Sequence, residues 1–554
     1  MTTNGNAAFD ALGRKRLGIV VAGSLTDGVD VRLDDDTSVE DIKVGTLVAI
    51  EGERRRFFGQ ITDVLLGTTD LGMQSTPPDV SNSFIARVIA GTTAYGAIKV
   101  EPTLSIGGDS RSLANDGPLP AKTVPAHFSS VSPASDADIE LVFGKEDERH
   151  FWIGSPLDME TKLCLNVEEL AKRSNGVFGK SGTGKTFLTR LLLIGILQRS
   201  KAVNLVFDMH SEYGWQGTSE KSSSVKGLKQ LFGSKVAVFT LDVDSSRRRS
   251  LLPDYVVRIG YDEVEPEDIT LLREVMDLSS IAADAAYNLQ RHFGKGKWLK
   301  SFLAHGGRDS IKELADAIDV NANSLGALHN RLSRFERFGF MDDQAGHDSV
   351  NEIIRYLDRG MHVVLEFGRY GNDLAAYILV ANLLTRRIYK RYMERKEAAA
   401  GDKAKEPRPL VISIEEAHKF LTKELAGQTI FGTIARELRK YNVTLLVVDQ
   451  RPSGIDDEVM SQLGTKIVCL LDSEKDVTAV LAGVSGSSKL RAVLSRLESR
   501  QQALAFGHAL PMPVVVQTRE YGTPEFYKSI GHRDGAEAQE KSAKDVEDLF
   551  GPGS

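Results

Sequence analysis

The stretch GKSGTGKT, Gly179 to Thr186, decides how this chain is read. It fits GxxxxGK[ST] at every fixed position, and an apolar helical run from Phe187 to Leu197 follows it directly. Such a loop turns successive backbone N–H groups into one concavity at a helix N-terminus, where the positive end of the helix favours a triphosphate. A nucleotide, ATP with Mg2+, is the expected ligand. Lys185 is expected to reach the β- and γ-phosphates, and the Thr186 hydroxyl to coordinate the magnesium ion. Gly179, Gly182 and Gly184 let the backbone approach phosphate, while Lys180, Ser181 and Thr183 occupy the variable positions. Phe187, the first apolar residue after the loop, is counted with the nucleotide-binding residues.

A nucleotide site of this kind needs an acidic partner, and LVISIEE, Leu410 to Glu416, offers one: an apolar strand ending in two carboxylates. Alternation sends their side chains in different directions, so Glu415 can hold magnesium through water while Glu416 orients the attacking water. Glu415 stands where Asp is commoner, and the longer arm still reaches a metal through water. Asp208 and Glu212, in VFDMHSEYG, fall at the end of the next expected strand and read equally as ligand-facing acids or as a turn. Gln450 ends VTLLVVDQ and reads as a γ-phosphate sensor or a polar strand end. In IARELRKYN, Arg436, Arg439 and Lys440 read as a solvated face or as a finger reaching a neighbouring subunit's nucleotide. Arg173, before the loop, is a candidate for the same task within its own subunit.

With 41% hydrophobic and 26% charged residues over 554 positions, the chain has the composition of a multidomain globular protein. A net charge of −7 argues against a protein coated in basic residues, yet an acidic ring can still line a channel with lysines. The two cysteines, Cys164 and Cys469, have no metal-ligand spacing around them and support neither a disulfide framework nor a zinc site. MTTNGNAAFDALGRKR has no apolar signal core, and no run of about 18 apolar residues occurs, so a cytoplasmic location is expected.

The expected fold class is α/β: a RecA-like P-loop ATPase domain with an inserted helical bundle, preceded by a small antiparallel β-barrel. Residues 1–15 read as a disordered start. The barrel with its linker occupies 16–150, from short glycine-punctuated strands such as GVDVRL and GTLVAIEG, and Gly107 to Asp136 reads as linker or exposed loop. The ATPase domain occupies 151–261 and 346–521, its Val- and Leu-rich runs implying a sheet covered on both faces. The helical insertion occupies 262–345, and 522–554 reads as a charged tail.

These motifs together resemble the HerA branch of the HerA/FtsK translocases: GKSGTGKT, DMHSEYG, ISIEEAHKF at 412–420 and ARELRKYNVTLLVVDQRPSGID at 435–456. The resemblance implies a homohexameric ring that pumps double-stranded DNA through a central channel. It makes Glu416 the catalytic carboxylate, Gln450 the sensor and Arg439 the trans finger, with Arg436 the weaker candidate. RELRK stands where the family often has REGRK. The N-terminal module looks like the HAS barrel, which in this family docks a partner: a NurA-like nuclease in end resection, or a nuclease or sirtuin-like NADase in phage defence. Lys419, Lys423 and Arg247–Arg249 are candidates for gripping DNA, with surface solvation the alternative. A ring scaffold that arrays and gates an effector is the other function compatible with the motifs.

Overall fold

The computed structural model describes residues 15–532, apart from 71, 76–77, 80, 82–87, 90–92, 108–116, 219–223, 345–347, 403–404, 438–439 and 485. Internal contacts divide the chain into two compact units. One comprises Met1–Leu170, Gly176–Lys185 and Gly464–Arg519, and the other Ala171–Asn175, Thr186–Leu463 and Glu520–Ser554.

In the first unit, strands Gly18–Ser24, Gly28–Leu33, Leu47–Glu51, Arg55–Thr68, Ala94–Gly107 and Ser130–Pro133 pair antiparallel. The ring closes where Val29–Arg32 meets Ala97–Val100, which makes the sheet a barrel. Alternating inward residues, among them Val20, Val31, Ile50, Ile61, Ile98 and Val100, fill its core. The passage expected to be a linker contributes to this barrel instead. Ser130–Pro133 joins Gly18–Ser24 to Leu47–Glu51, and Leu119–Pro120 pairs with Ala94–Gly107; residues 108–116 lie outside the described residues. The sequence SVSP is too short and too polar to show a strand's period, and only long-range pairing makes it one.

The same unit holds a second ladder, antiparallel through Thr465–Cys469, Gln502–Gly507, Val514–Thr518, His150–Pro156 and Leu163–Asn166 in that order, with the strand that leads into the phosphate-binding loop beside Thr465–Cys469. The helix Ser487–Leu494 meets the barrel through Lys489, whose ammonium donates to the Thr26 carbonyl at 2.8 Å and pairs with Glu101.

The second unit is built on a parallel sheet in the order Tyr255–Val256, Val236–Thr240, His362–Glu366, Val203–Asp208, Leu410–Glu415 and Val443–Asp449. Nearly every residue of the four central strands is buried, as a sheet flanked on both faces requires. Parallel strands share one direction, so their carboxyl ends lie along one edge and bring Glu366, Asp208, Glu415 and Asp449 into a row. The helix Lys185–Arg199 is buried on all sides from Leu188 to Leu197. Between the sheet strands, helices Pro266–Leu271, Ser280–Phe293, Trp298–Leu303, Arg308–Ala317 and Ala322–Leu332 form the inserted helical region. Among the described residues no helix is long and apolar enough to cross a membrane.

Of the expected tail, 522–554, residues 533–554 lie outside the described residues, and the described part is ordered. Residues 520–532 dock on the second unit through the helix Pro524–Ser529. Tyr521 stacks on Phe187 with ring centroids 5.6 Å apart and donates its hydroxyl to the Lys226 carbonyl at 2.7 Å. Tyr527 accepts from the Lys226 N–H at 2.9 Å, and Gln198 donates to the Ile530 carbonyl at 2.8 Å. A six-residue helix is marginal alone, and these remote contacts hold it. Tyr521→Ala is expected to cost about 3–5 kcal/mol, by loss of the buried ring. Chemical denaturation of the full chain measures it, and a change below about 1 kcal/mol would contradict this packing.

Candidate active site

The phosphate-binding loop begins where the buried strand Asn175–Phe178 ends. Gly179 has φ 154°, and a β-carbon there would lie 2.7 Å from the Cys469 β-carbon and 2.9 Å from the Thr183 hydroxyl. Only glycine fits that approach. Burial pushes the Cys469 thiol up to about 11, so beside the loop it is a neutral packing group. The Lys180 N–H donates to the Leu470 carbonyl at 3.0 Å, and its ammonium pairs with Asp472 at 2.8 Å. Two loop side chains converge on the Lys180 carbonyl: the Thr183 hydroxyl and the Lys185 ammonium each donate to it at 2.8 Å. Ser181 and Gly182 form the exposed tip. Thr186 is half-buried in the first turn of the helix, where backbone N–H groups have no intrahelical acceptor. The Phe187 ring is committed to Tyr521, so what it offers a ligand is its backbone N–H. Arg173 is half-buried, and its carbonyl accepts from the Asn175 amide at 2.6 Å.

In the second unit the two consecutive glutamates are held in different ways. Glu415 completes its strand, and the Tyr213 hydroxyl donates to its carboxylate at 2.9 Å. Tyr377, on the helix Leu374–Ala398, brackets its backbone: the hydroxyl donates to the Glu415 carbonyl at 3.1 Å and accepts from its N–H at 3.3 Å. The second carboxylate oxygen, Oε2, is buried with no hydrogen-bond partner among the described residues. Burial, then the neighbouring Asp208, pushes the Glu415 carboxyl up to about 8. Glu416 leaves the strand direction in a left-handed conformation, φ 50° and ψ 44°, which is uncommon for a residue bearing a β-carbon. Its carboxylate stays partly exposed and accepts from the Gln450 amide at 2.9 Å. Glu416 and Gln450, far apart in sequence, are thus joined directly.

Asp208 takes the turn role rather than the ligand role. It is fully buried, and its carboxylate accepts the N–H groups of Glu212 and Tyr213 at 2.8 Å and of Gly214 at 3.2 Å. The turn so fixed aims Tyr213 at Glu415. Arg190, itself buried on the helix after the loop, donates to the Glu212 carbonyl and lies over the rings of Phe187 and Tyr521. Arg249, one of the candidates for DNA contact, pairs with the fully buried Glu366. Arg436 is engaged within its own chain, donating to Glu458 and to the Ala426 carbonyl, each at 3.0 Å. Arg439 lies outside the described residues.

A family profile described as "Helicase HerA, central domain" matches residues 151–388, and one described as "HAS barrel domain" matches residues 17–111. The "DNA double-strand break repair helicase HerA" of Saccharolobus solfataricus is 24% identical over 535 residues, covering 92% of this chain and 94% of that protein. The chain belongs to the HerA-type ATPases. The protein of the same name from Pyrococcus furiosus is 22% identical, covering 70% of this chain and 72% of its own. Among solved structures, VirB4 of Thermoanaerobacter pseudethanolicus aligns with TM-score 0.45 and 14% identity over 69% of this chain and 98% of its own.

Within this HerA-type site the donor set suits magnesium: a threonine hydroxyl at a helix start and a glutamate carrying an orphaned, buried carboxylate oxygen are hard oxygen donors. Tyr213, Tyr377, His418 and Asp449 escape the sequence reading. Tyr213 lies inside a motif singled out for its acids, and Asp449 sits beside Gln450; only the register of neighbouring strands reveals their partners.

Burial, then Asp208, pushes the Glu366 carboxyl from 4.5 up to about 7, against the opposing pull of Arg249. The folded protein therefore holds a proton that the unfolded chain releases, and its stability falls as pH rises through that window. Glu366→Gln is expected to flatten the fall in melting temperature between about pH 4.5 and 7. Parallel slopes for the two proteins would contradict it.

Proposed function

We propose that this chain is an ATP-driven motor that moves double-stranded DNA through a homohexameric ring. The observation that carries the reading is the second unit's pair of adjacent glutamates with distinct restraints, one buried with an orphaned oxygen, the other left-handed and bound to Gln450. In this reading Lys185 leaves the Lys180 carbonyl for the β- and γ-phosphates, and the loop N–H groups take the remaining phosphate oxygens. Thr186 and Glu415, the latter through water, would hold Mg2+, which supplies charge neutralisation on the phosphates. Glu416 orients the attacking water, and Gln450 exchanges its bond to Glu416 for the γ-phosphate. Arg439 serves the nucleotide of the neighbouring subunit, where a guanidinium stabilises charge developing on phosphate.

The curated relatives, named as double-strand break repair helicases, support DNA as the substrate. Contacts that grip phosphates rather than bases give sequence-tolerant, salt-sensitive binding. The barrel is the docking module for an effector, a NurA-like nuclease in end resection or a nuclease or NADase in phage defence.

Glu416→Gln is expected to lower DNA-stimulated ATP turnover by about 100-fold or more while ATP binding persists. Lys185→Ala is expected to lose binding as well, because a phosphate-facing cation is gone. Turnover assays paired with a fluorescent ATP analogue separate the two. Mass photometry is expected to show a hexamer with ATP analogue and duplex present; a persistent monomer would sink the ring. Partner activity that survives Glu416→Gln unchanged would favour a nucleotide-stabilised scaffold over a motor.

A further inference from the structure

The left-handed turn at Glu416 needs something to hold it, since that conformation is unfavourable for a residue with a β-carbon. The holder is on the neighbouring strand. Asp449, the last residue of Val443–Asp449, is 1% exposed, and the groups that reach its carboxylate are arranged around one turn. Its Oδ2 accepts the His418 N–H at 2.7 Å, and the His418 ring nitrogen Nδ1 lies 3.0 Å from Oδ2 and 3.1 Å from Oδ1. The Arg451 N–H donates to Oδ1 at 2.5 Å. With a carboxylate as acceptor, the His418 proton belongs on Nδ1, and this same nitrogen stands 3.5 Å from the Glu416 carboxylate. His418 also sits in the middle of the one-turn helix Ala417–Lys419 that begins at Glu416. Behind it, a β-carbon placed on Gly454 would come within 3.1 Å of the His418 β-carbon. The Asp456 N–H closes the arrangement by donating to the Leu421 carbonyl at 2.7 Å.

We propose that Asp449 and His418 are positioning residues for hydrolysis, acting on Glu416 through the turn that carries it. Asp449 pins the His418 backbone and ring; His418 fixes the turn; the turn sets where the Glu416 carboxylate points. Gln450, next to Asp449 on the same strand end, holds that carboxylate directly, so a single strand terminus governs both the direction and the hydrogen bonding of Glu416. A buried carboxylate satisfied by one turn's donors costs nothing further in charge pairing and gives a fixed geometry, which suits a group whose task is orientation. The proposal rests on the reading of Glu416 as the residue that orients water.

The test uses the full-length protein with ATP, Mg2+ and duplex DNA, and compares kcat and KM with the affinity for a fluorescent ATP analogue. His418→Ala is expected to lower kcat by about 10- to 100-fold with KM and analogue affinity within about twofold of the parent, as misplacing a catalytic group does. His418→Asn, whose side-chain amide can stand in for Nδ1, is expected to recover most of the kcat. Gly454→Ala displaces His418 without removing it and is expected to lower kcat alone, so the proposal stays testable if His418→Ala fails to fold. Unchanged kcat in the variants, with the parent active, overturns the proposal by itself. So does an equal loss of kcat and analogue affinity in the alanine and asparagine variants, which marks a merely structural role. A parent protein without turnover overturns the hydrolytic reading of Glu416, and the proposal with it.

Discussion

Neutral donors, not cations, hold most of the carboxylates along the sheet edge of the second unit. Parallel strands put Glu366, Asp208 and Glu415 at one level, with Asp449 one residue further along the neighbouring strand, because each acid ends its strand at the same edge. Four acids in a buried edge repel one another, and the chain answers with backbone N–H groups for Asp208, a tyrosine hydroxyl for Glu415, and a turn with its histidine for Asp449. Arg249 on Glu366 is the charged partner in the row. Neutral donors fix direction without cancelling charge, and an edge left short of positive charge is one that favours a cation arriving with phosphate.

The parts of this arrangement differ in how openly the sequence shows them. GKSGTGKT is legible because close approach to phosphate admits few residues, and Gly179 against Cys469 shows the constraint in space. The runs VNLVFD, LVISIE and VTLLVVD are legible because strands buried on both faces are dominated by apolar residues, each here with one polar residue before its terminal acid. By contrast, SVSP closes a barrel although nothing local marks it as a strand. HFWIGSP, hairpinned with LCLN, joins an antiparallel ladder through a strand hundreds of residues away. The helix PEFYKS is likewise fixed by Phe187, Lys226 and Gln198, none of them near it in the chain.

Residue roles were harder to read than elements. For Asp208 the sequence leaves ligand and turn equally open, whereas in the fold three N–H groups converge on its carboxylate. Arg249 reads as a surface cation in a run of three, and becomes the ion-pair partner of a buried carboxylate only because Glu366, 117 positions later, ends the adjacent strand. Sequence proximity can mislead in the other direction too: Glu415 and Glu416 are consecutive, yet the left-handed step between strand and turn gives them separate surroundings.

The closed ring of the barrel has one more implication. An open sheet offers unpaired backbone groups along its margin, and foreign chains add to such margins as extra strands. Here Gly28–Leu33 is bonded on one side to Gly18–Ser24 and on the other to Ala94–Gly107, so the circuit presents no such margin there. A partner that meets this module along the closed circuit would be recognised through loops and outward side chains. Specificity would then evolve by changing surface residues one at a time, with the hydrogen-bonded framework beneath left alone.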